Sequence, residues 1–105
     1  MATISEKADL LTVINVFTVE NPQQQQLLVN HLVSNIEKAQ KQEGLISLNI
    51  HKSLDGTRVV NYAQWSSKEA LETALKSQEF MAPVEKAVEF PHDFHLYEVV
   101  FTTQS

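Results

Sequence analysis

The sequence predicts an α+β fold: an antiparallel four-stranded sheet with helices on one face, in the chain order β-α-β-β-α-β. Three observations predict it. The apolar pattern switches between strand alternation and helical spacing in that order. Asp55-Gly56 separates the two central strands as a tight hairpin would. Each helical stretch opens on capping chemistry, Asn21-Pro22 with Gln24 and then Ser66 with Glu69.

Residues 10–19, LLTVINVFTV, are rich in β-branched and aromatic side chains and make the first strand. In the ENPQQQQ that follows, Asn21 caps, and Pro22 takes the first helical position, where a missing N–H costs nothing. Gln24 completes a capping box, so the glutamine run is a polar first turn. Leu28, Leu32, Ile36 and Ala39 recur at helical spacing, Leu27 widens the stripe, and Gly44 caps the C-terminus. Over residues 45–54, Ile46, Leu48 and Ile50 alternate with Ser47, Asn49 and His51, a strand with one apolar face. A two-residue Asp55-Gly56 turn sends residues 57–65 back antiparallel. The second helix starts at Ser66 and points Ala70, Leu71, Ala74 and Leu75 inward. Pro83 marks a kink or a new turn, Pro91 ends the segment, and residues 94–102, FHLYEVVFT, are the last strand. This order is the split βαβ, or ferredoxin-like, arrangement, and residues 1–105 read as a single domain with its core over about 10–102.

Helices on one sheet face leave the other wet or paired. Val60 and Tyr62 lie opposite the Asn61/Trp65 face, and the last strand alternates Phe94, Leu96, Glu98 and Val100 with His95, Tyr97, Val99 and Phe101. So much apolar surface on both sides predicts a homodimer through the sheet face.

Composition removes many functions. A formal charge of −5 argues against nucleic acid and anionic membrane surfaces. With no cysteine there is no disulfide, thiolate or iron–sulfur chemistry. Both glycines have turn or cap roles, which excludes a phosphate-binding loop, and no G-x-S-x-G elbow occurs. The N-terminal MATISEKADL has no apolar signal core, and no run is long enough to span a bilayer, so the expectation is a cytoplasmic protein. Among the histidines, His92-Asp93-x-His95 is too weak a spacing for a metal site, and no metal is expected. Glu98 reads as an edge carboxylate.

The candidate chemistry lies in VVNYAQW, residues 59–65. Period-two alternation puts Asn61 and Trp65 on one face with Val59 and Ala63. Val13, Asn15 and Phe17 repeat the theme on the first strand: an amide between apolar residues. A single buried amide is ordinarily satisfied by backbone or water, but two amides and a tryptophan on apolar strand faces suit a ligand pocket. His31, beside the apolar stripe of the first helix, is a further candidate.

VVNYAQWSSKEAL, preceded by SLDGTR in a chain of this order and length, resembles the antibiotic biosynthesis monooxygenase domain, and the resemblance spans roughly residues 10–102. It implies a dimeric α/β barrel with a pocket between sheet and helices. The NYAQW core is closest to the cofactor-independent monooxygenases that oxidise polyketide anthrones to quinones. The resemblance gives Asn61 and Trp65 the catalytic roles, with no cofactor: an aromatic or enolisable substrate is deprotonated and its carbanion reduces dioxygen. Asn15, Phe17, His31 and Leu71 are the substrate-binding candidates. Leu71 stands where the anthrone oxygenases carry a tyrosine, and FMAPVEKAVEF offers no clear counterpart to their arginine. Those departures leave open a non-catalytic dimeric binding module, or an isomerase of the same superfamily. In the haem-degrading branch an asparagine and tryptophan match Asn15 and Trp65, but about Val84 takes the ligand histidine's place, so haem degradation is not expected.

Overall fold

A computed structural model describes residues 10–103. The strands are β1 (Leu11–Thr18), β2 (Leu45–Lys52), β3 (Arg58–Trp65) and β4 (His92–Tyr97). Between β1 and β2 run α1 (Pro22–Ser34) and α2 (Ile36–Gln40); between β3 and β4 run α3 (Lys68–Leu75) and α4 (Gln78–Ala87). All strand pairs are antiparallel, in the order β2-β3-β1-β4. This is the ferredoxin-like topology the sequence predicts, with each expected helix divided in two.

Alternation assigns the two faces. Val13, Asn15 and Phe17 of β1 share a face with Val59, Asn61, Ala63 and Trp65 of β3. The helices cover that face and split the core into two clusters. One gathers Val13, Ala63 and Trp65 beneath Leu71 and Ala74 of α3. The other gathers Phe17, Val19 and Val59 with Leu28 of α1 and Ala87 of α4. The outer face carries Ile14, Val16, Val60 and Tyr62, all partly exposed.

Local chemistry explains most boundaries. Asn21 Oδ1 accepts from the Gln24 N–H at 2.8 Å, and Gln24 Oε1 accepts from the Glu20 N–H at 2.7 Å, a capping box shifted by one residue on its return arm. Gln25, expected in a polar first turn, is instead buried: its Nε2 donates to the carbonyls of Ser53 and Arg58 at 3.0 and 2.9 Å and ties α1 to the β2–β3 hairpin. Pro22 lies against Gly56, where an added Cβ would stand 2.6 Å from Pro22 Cγ.

Several expectations are corrected. The first helix breaks at Asn35, and Leu27 is 68% exposed, outside the stripe. Helix α2 ends at Gln40; Gly44, at φ +92°, turns the chain into β2 rather than capping the helix directly. A bulge between Leu45 and Ser47 resets the alternation, so Leu45 joins Leu48 and Ile50 on the inner side while Ile46 is 49% exposed. The hairpin closes on the Ser53 N–H and Arg58 carbonyl at 3.0 Å, which makes the loop 54–57 rather than two residues. Asp55 Oδ1 stabilises that loop by accepting from Ser53 Oγ, Thr57 N and Thr57 Oγ1. The cap of α3 is Ser67, not Ser66. Strand β4 begins two residues earlier than expected and stops at Tyr97, so Glu98 lies beyond it and is exposed.

Candidate active site

On the inner face, the strand positions that line the cavity are apolar except along one row. Across the strands, Ile50 of β2 faces Asn61 of β3, Asn61 faces Asn15 of β1, and Asn15 faces Phe94 of β4. The two carboxamides are thus direct cross-strand neighbours, with Cβ separations of ~5 Å for such pairs. They lie where one core cluster gives way to the other. Along β3 the sequence runs Val59, Asn61, Ala63, so each amide is bracketed by residues of both clusters.

Both amides carry a buried Oδ1 with no hydrogen-bond partner. The strand backbone is already paired on either side, which leaves these side chains nothing to bond in the sheet. A buried acceptor left alone costs about 1–3 kcal/mol, so two side by side form a local energetic debt. Their shared environment is a cavity of about 110 Å³ between sheet and helices. Its floor includes Val13, Asn15, Asn61, Ala63 and Trp65, with Leu45, Leu48, Ile50 and Phe94 from the flanking strands. Its roof comes from Leu32 on α1, Ile36 and Ala39 on α2, Leu71 and Leu75 on α3, and Phe80, Pro83 and Val84 on α4. Asn35, at the α1–α2 break, and Lys38 of α2 complete it.

Trp65 is 2% exposed and stands edge-on to Phe80, ring centroids 5.8 Å apart at 84°. This T-shaped contact fixes the indole as one wall. The roof is built from interrupted helix. Asn35 Nδ2 donates to the His31 carbonyl at 2.8 Å, closing α1 just before the break. In α4, Pro83 lacks the N–H that would bond back into the helix, and its own carbonyl accepts from His31 Nε2 at 2.9 Å.

The structure brings together four of the sequence candidates: Asn15, Asn61, Trp65 and Leu71 all line the cavity. Two lie elsewhere. Phe17 is packed in the second core cluster, because it follows Asn15 by one inward-facing position on β1. His31 points its Nε2–H at the Pro83 carbonyl and stands outside the lining, a strut between α1 and α4. Sequence reasoning missed Asn35, Lys38, Phe80 and Phe94. The first two belong to a stretch that reads as continuous helix, so its break gave no signal. His92 and His95 are occupied locally, His92 Nδ1 with the Phe90 carbonyl at 3.0 Å and His95 Nε2 with Asp93 at 2.7 Å.

The arrangement offers an apolar cavity with amides at one wall and an indole at another. An amide Oδ1 accepts from a hydroxyl and its Nδ2 donates to an oxyanion, so the pair can hold a phenol or an enolate.

Comparison with known proteins fits this geometry. A protein-family model described as antibiotic biosynthesis monooxygenase matches residues 10–86. Tetracenomycin-F1 monooxygenase of Streptomyces glaucescens is 48% identical over 69 residues, covering 65% of this chain and 61% of that protein. The match therefore spans less than two thirds of that relative's length. SnoaB, a cofactor-independent oxygenase from Streptomyces nogalater, superposes with a TM-score of 0.80 at 21% identity, covering 93% of this chain and all of that one. A Streptomyces coelicolor monooxygenase from the gene ActVA-Orf6, in complex with nanaomycin D, gives a TM-score of 0.78 at 24% identity, covering 90% and 91% of the two chains.

Proposed function

The chain belongs to the antibiotic biosynthesis monooxygenase family, and on that footing we propose that it is a cofactor-independent monooxygenase of an aromatic quinol-like, anthrone-like or otherwise enolisable small molecule. The observation that carries this reading is the pair of orphaned carboxamide oxygens, Asn15 and Asn61, in the floor of an apolar cavity. A purely structural interior would satisfy such atoms or replace them with aliphatic groups. A substrate hydroxyl satisfies them on binding.

The chemistry follows from the side chains. On an anthrone-like substrate, loss of a ring-methylene proton leaves an enolate, whose charge the Asn61 amide stabilises as a donor. Its electron pair reduces dioxygen, a carbon–oxygen bond forms, and the oxygen–oxygen bond then breaks. One oxygen stays as the new carbonyl and the other leaves as water with both methylene hydrogens. Trp65 and Phe80 hold the ring plane and exclude bulk water. The lining contains no imidazole, carboxylate or thiolate that would make a ligand set for iron, which disfavours haem degradation. Leu71 and Val84, both in the lining, give a roof more apolar than the tyrosine- or histidine-bearing relatives the sequence resembles.

The same reading includes a cytoplasmic homodimer joined through the outer sheet face. Its support is the partly exposed apolar set Ile14, Val16, Val60 and Tyr62, continued by Tyr97 and the exposed Val100 and Phe101. No helix among the described residues is long and apolar enough to cross a membrane.

The test is dioxygen uptake by the purified, metal-free protein with a panel of anthrones and hydroquinones, wild type against Asn61→Ala. Uptake that depends on Asn61 supports the oxygenase. Ligand binding without turnover in wild type would instead favour the non-catalytic binding module, and substrate conversion without oxygen uptake the isomerase.

A further inference from the structure

We propose that this cavity takes its aromatic ligand as an anion and that Lys38 is the specificity-determining residue that selects it; the proposal rests on the cavity being the substrate site. Among the lining side chains Lys38 alone is ionisable. The others are apolar or, as with Asn15, Asn35 and Asn61, neutral amides. The cavity thus has no carboxylate, imidazole or phenol with which to accept a substrate proton. What it has is a cation, and a nearby positive charge favours the ionised form of a bound acid. The most acidic hydroxyl proton of the ligand therefore passes to solvent or buffer at the exposed α2 side, and that phenolate lies toward Lys38, while a second, neutral hydroxyl of the substrate donates to the Asn15 and Asn61 Oδ1 atoms.

The charges around Lys38 leave its ammonium uncommitted. Three residues on, Lys41 is paired with Glu79 of α4 at 3.7 Å, whereas Lys38 has no carboxylate at ion-pair distance among the described residues. Its own helix adds only Glu37, the adjacent residue in sequence, which is exposed and outside the lining. The helices packed against α2 carry His31 on α1 and Glu79, Glu85 and Lys86 on α4. His31 is engaged with the Pro83 carbonyl, Glu79 with Lys41, and Glu85 and Lys86 stand outside the lining. Lys38 is exposed, so its ammonium is hydrated when no ligand is bound. The effect on an anion is accordingly that of a solvent-screened contact, about tenfold in affinity or 1.4 kcal/mol.

The experiment uses two probes of nearly equal size, 2-hydroxy-1,4-naphthoquinone, which is anionic at neutral pH, and its neutral 2-methoxy ether. Binding is read from quenching of Trp65, the chain's one tryptophan and a wall of the cavity. Wild type should bind the anion more tightly than the ether. Lys38→Met should weaken the anion about tenfold and leave the ether within about twofold, Lys38→Arg should restore most of the loss, and added salt should narrow the wild-type preference. Equal weakening of both probes would make Lys38 a packing residue and overturn the proposal, as would no change in either or a wild-type preference for the ether. If both probes quench Trp65 without discrimination, the anion selection fails while the cavity reading stands. If neither quenches, both fail.

Discussion

Replacing the paired amides by leucine should stabilise the protein while abolishing its activity. Leucine nearly matches asparagine in shape and puts no polar atom on the inner face. Each buried, unpartnered Oδ1 of Asn15 and Asn61 carries a desolvation penalty of about 1–3 kcal/mol, and exchange for an apolar isostere recovers part of it. The cavity of about 110 Å³ lies against both amides, and water reaching it there would offset some of that penalty. The expected gain is therefore near the bottom of the range, about 1 kcal/mol for Asn61→Leu. In a chain of this size that raises Tm by ~4–8 °C. Because the two residues face each other across β1 and β3, the double variant should be non-additive, with a coupling of about 0.5 kcal/mol or more. Thermal unfolding followed by circular dichroism measures the stability, and oxygen uptake measures the function. A fall of several degrees on Asn61→Leu would refute the reasoning, because it would mean the amide is held by bonds the fold depends on and is not reserved for a ligand.

Other expectations follow from single contacts. Trp65→Phe should keep the fold, whereas Trp65→Ala should cost about 3–5 kcal/mol in chemical denaturation, since the indole is 2% exposed and packed on Phe80. Ser67→Ala should cost about 1 kcal/mol in the same assay through loss of the bond to the Ala70 N–H, and Ser66→Ala clearly less. The Thr57 and Ser53 hydroxyls and the Thr57 N–H lower the Asp55 carboxyl from 3.8 to about 2. A carboxylate depressed on folding stabilises above its unfolded value, so this contribution is present above about pH 4 and fades as pH falls through about 2. The Tm difference between wild type and Asp55→Ala should shrink over that window; a difference unchanged at pH 2 would show that the loop does not depend on the charge. Sedimentation should report a dimer, and Tyr62→Asp on the outer sheet face should shift it to monomer while oxygen uptake per chain tests whether the site is complete alone.

The elements legible in sequence were those in which local chemistry and pattern agree. Asn21, Pro22 and Gln24 announce the start of α1, and the alternation through Asn61 and Trp65 placed both on the covered face. The errors have physical causes. A bulge adds one residue to a strand and reverses the alternation before it, which is why simple alternation points Ile46 inward while the structure turns Leu45 inward instead. Ser66 and Ser67 are both competent caps, and only the chain's path out of β3 decides between them. At the far end, FHLYEVVFT has strand composition throughout, yet pairing stops at Tyr97, which faces Thr12 near the start of β1. Within the site, the strand residues were legible because period two is rigid. The roof was not, since the break at Asn35 leaves the helical stripe Leu32, Ile36, Ala39 intact.

That break gives the site its strongest internal argument. A helix interrupted at Asn35, a proline inside α4 and two unpartnered amides are each unfavourable for stability. Scattered over the molecule they would be ordinary imperfections. Here Asn35, Pro83, Asn15 and Asn61 all line one cavity, two in its roof and two in its floor. The His31–Pro83 contact braces that roof, as a space held open for a ligand requires. Sequences optimised only for folding would fill such a space with leucine and satisfy or remove the amides, whereas functional sites are where local rules are broken together. His31→Phe separates the two accounts. It removes the brace but keeps bulk, so a functional cavity predicts a larger loss of ligand affinity than of stability. A packing defect predicts the reverse.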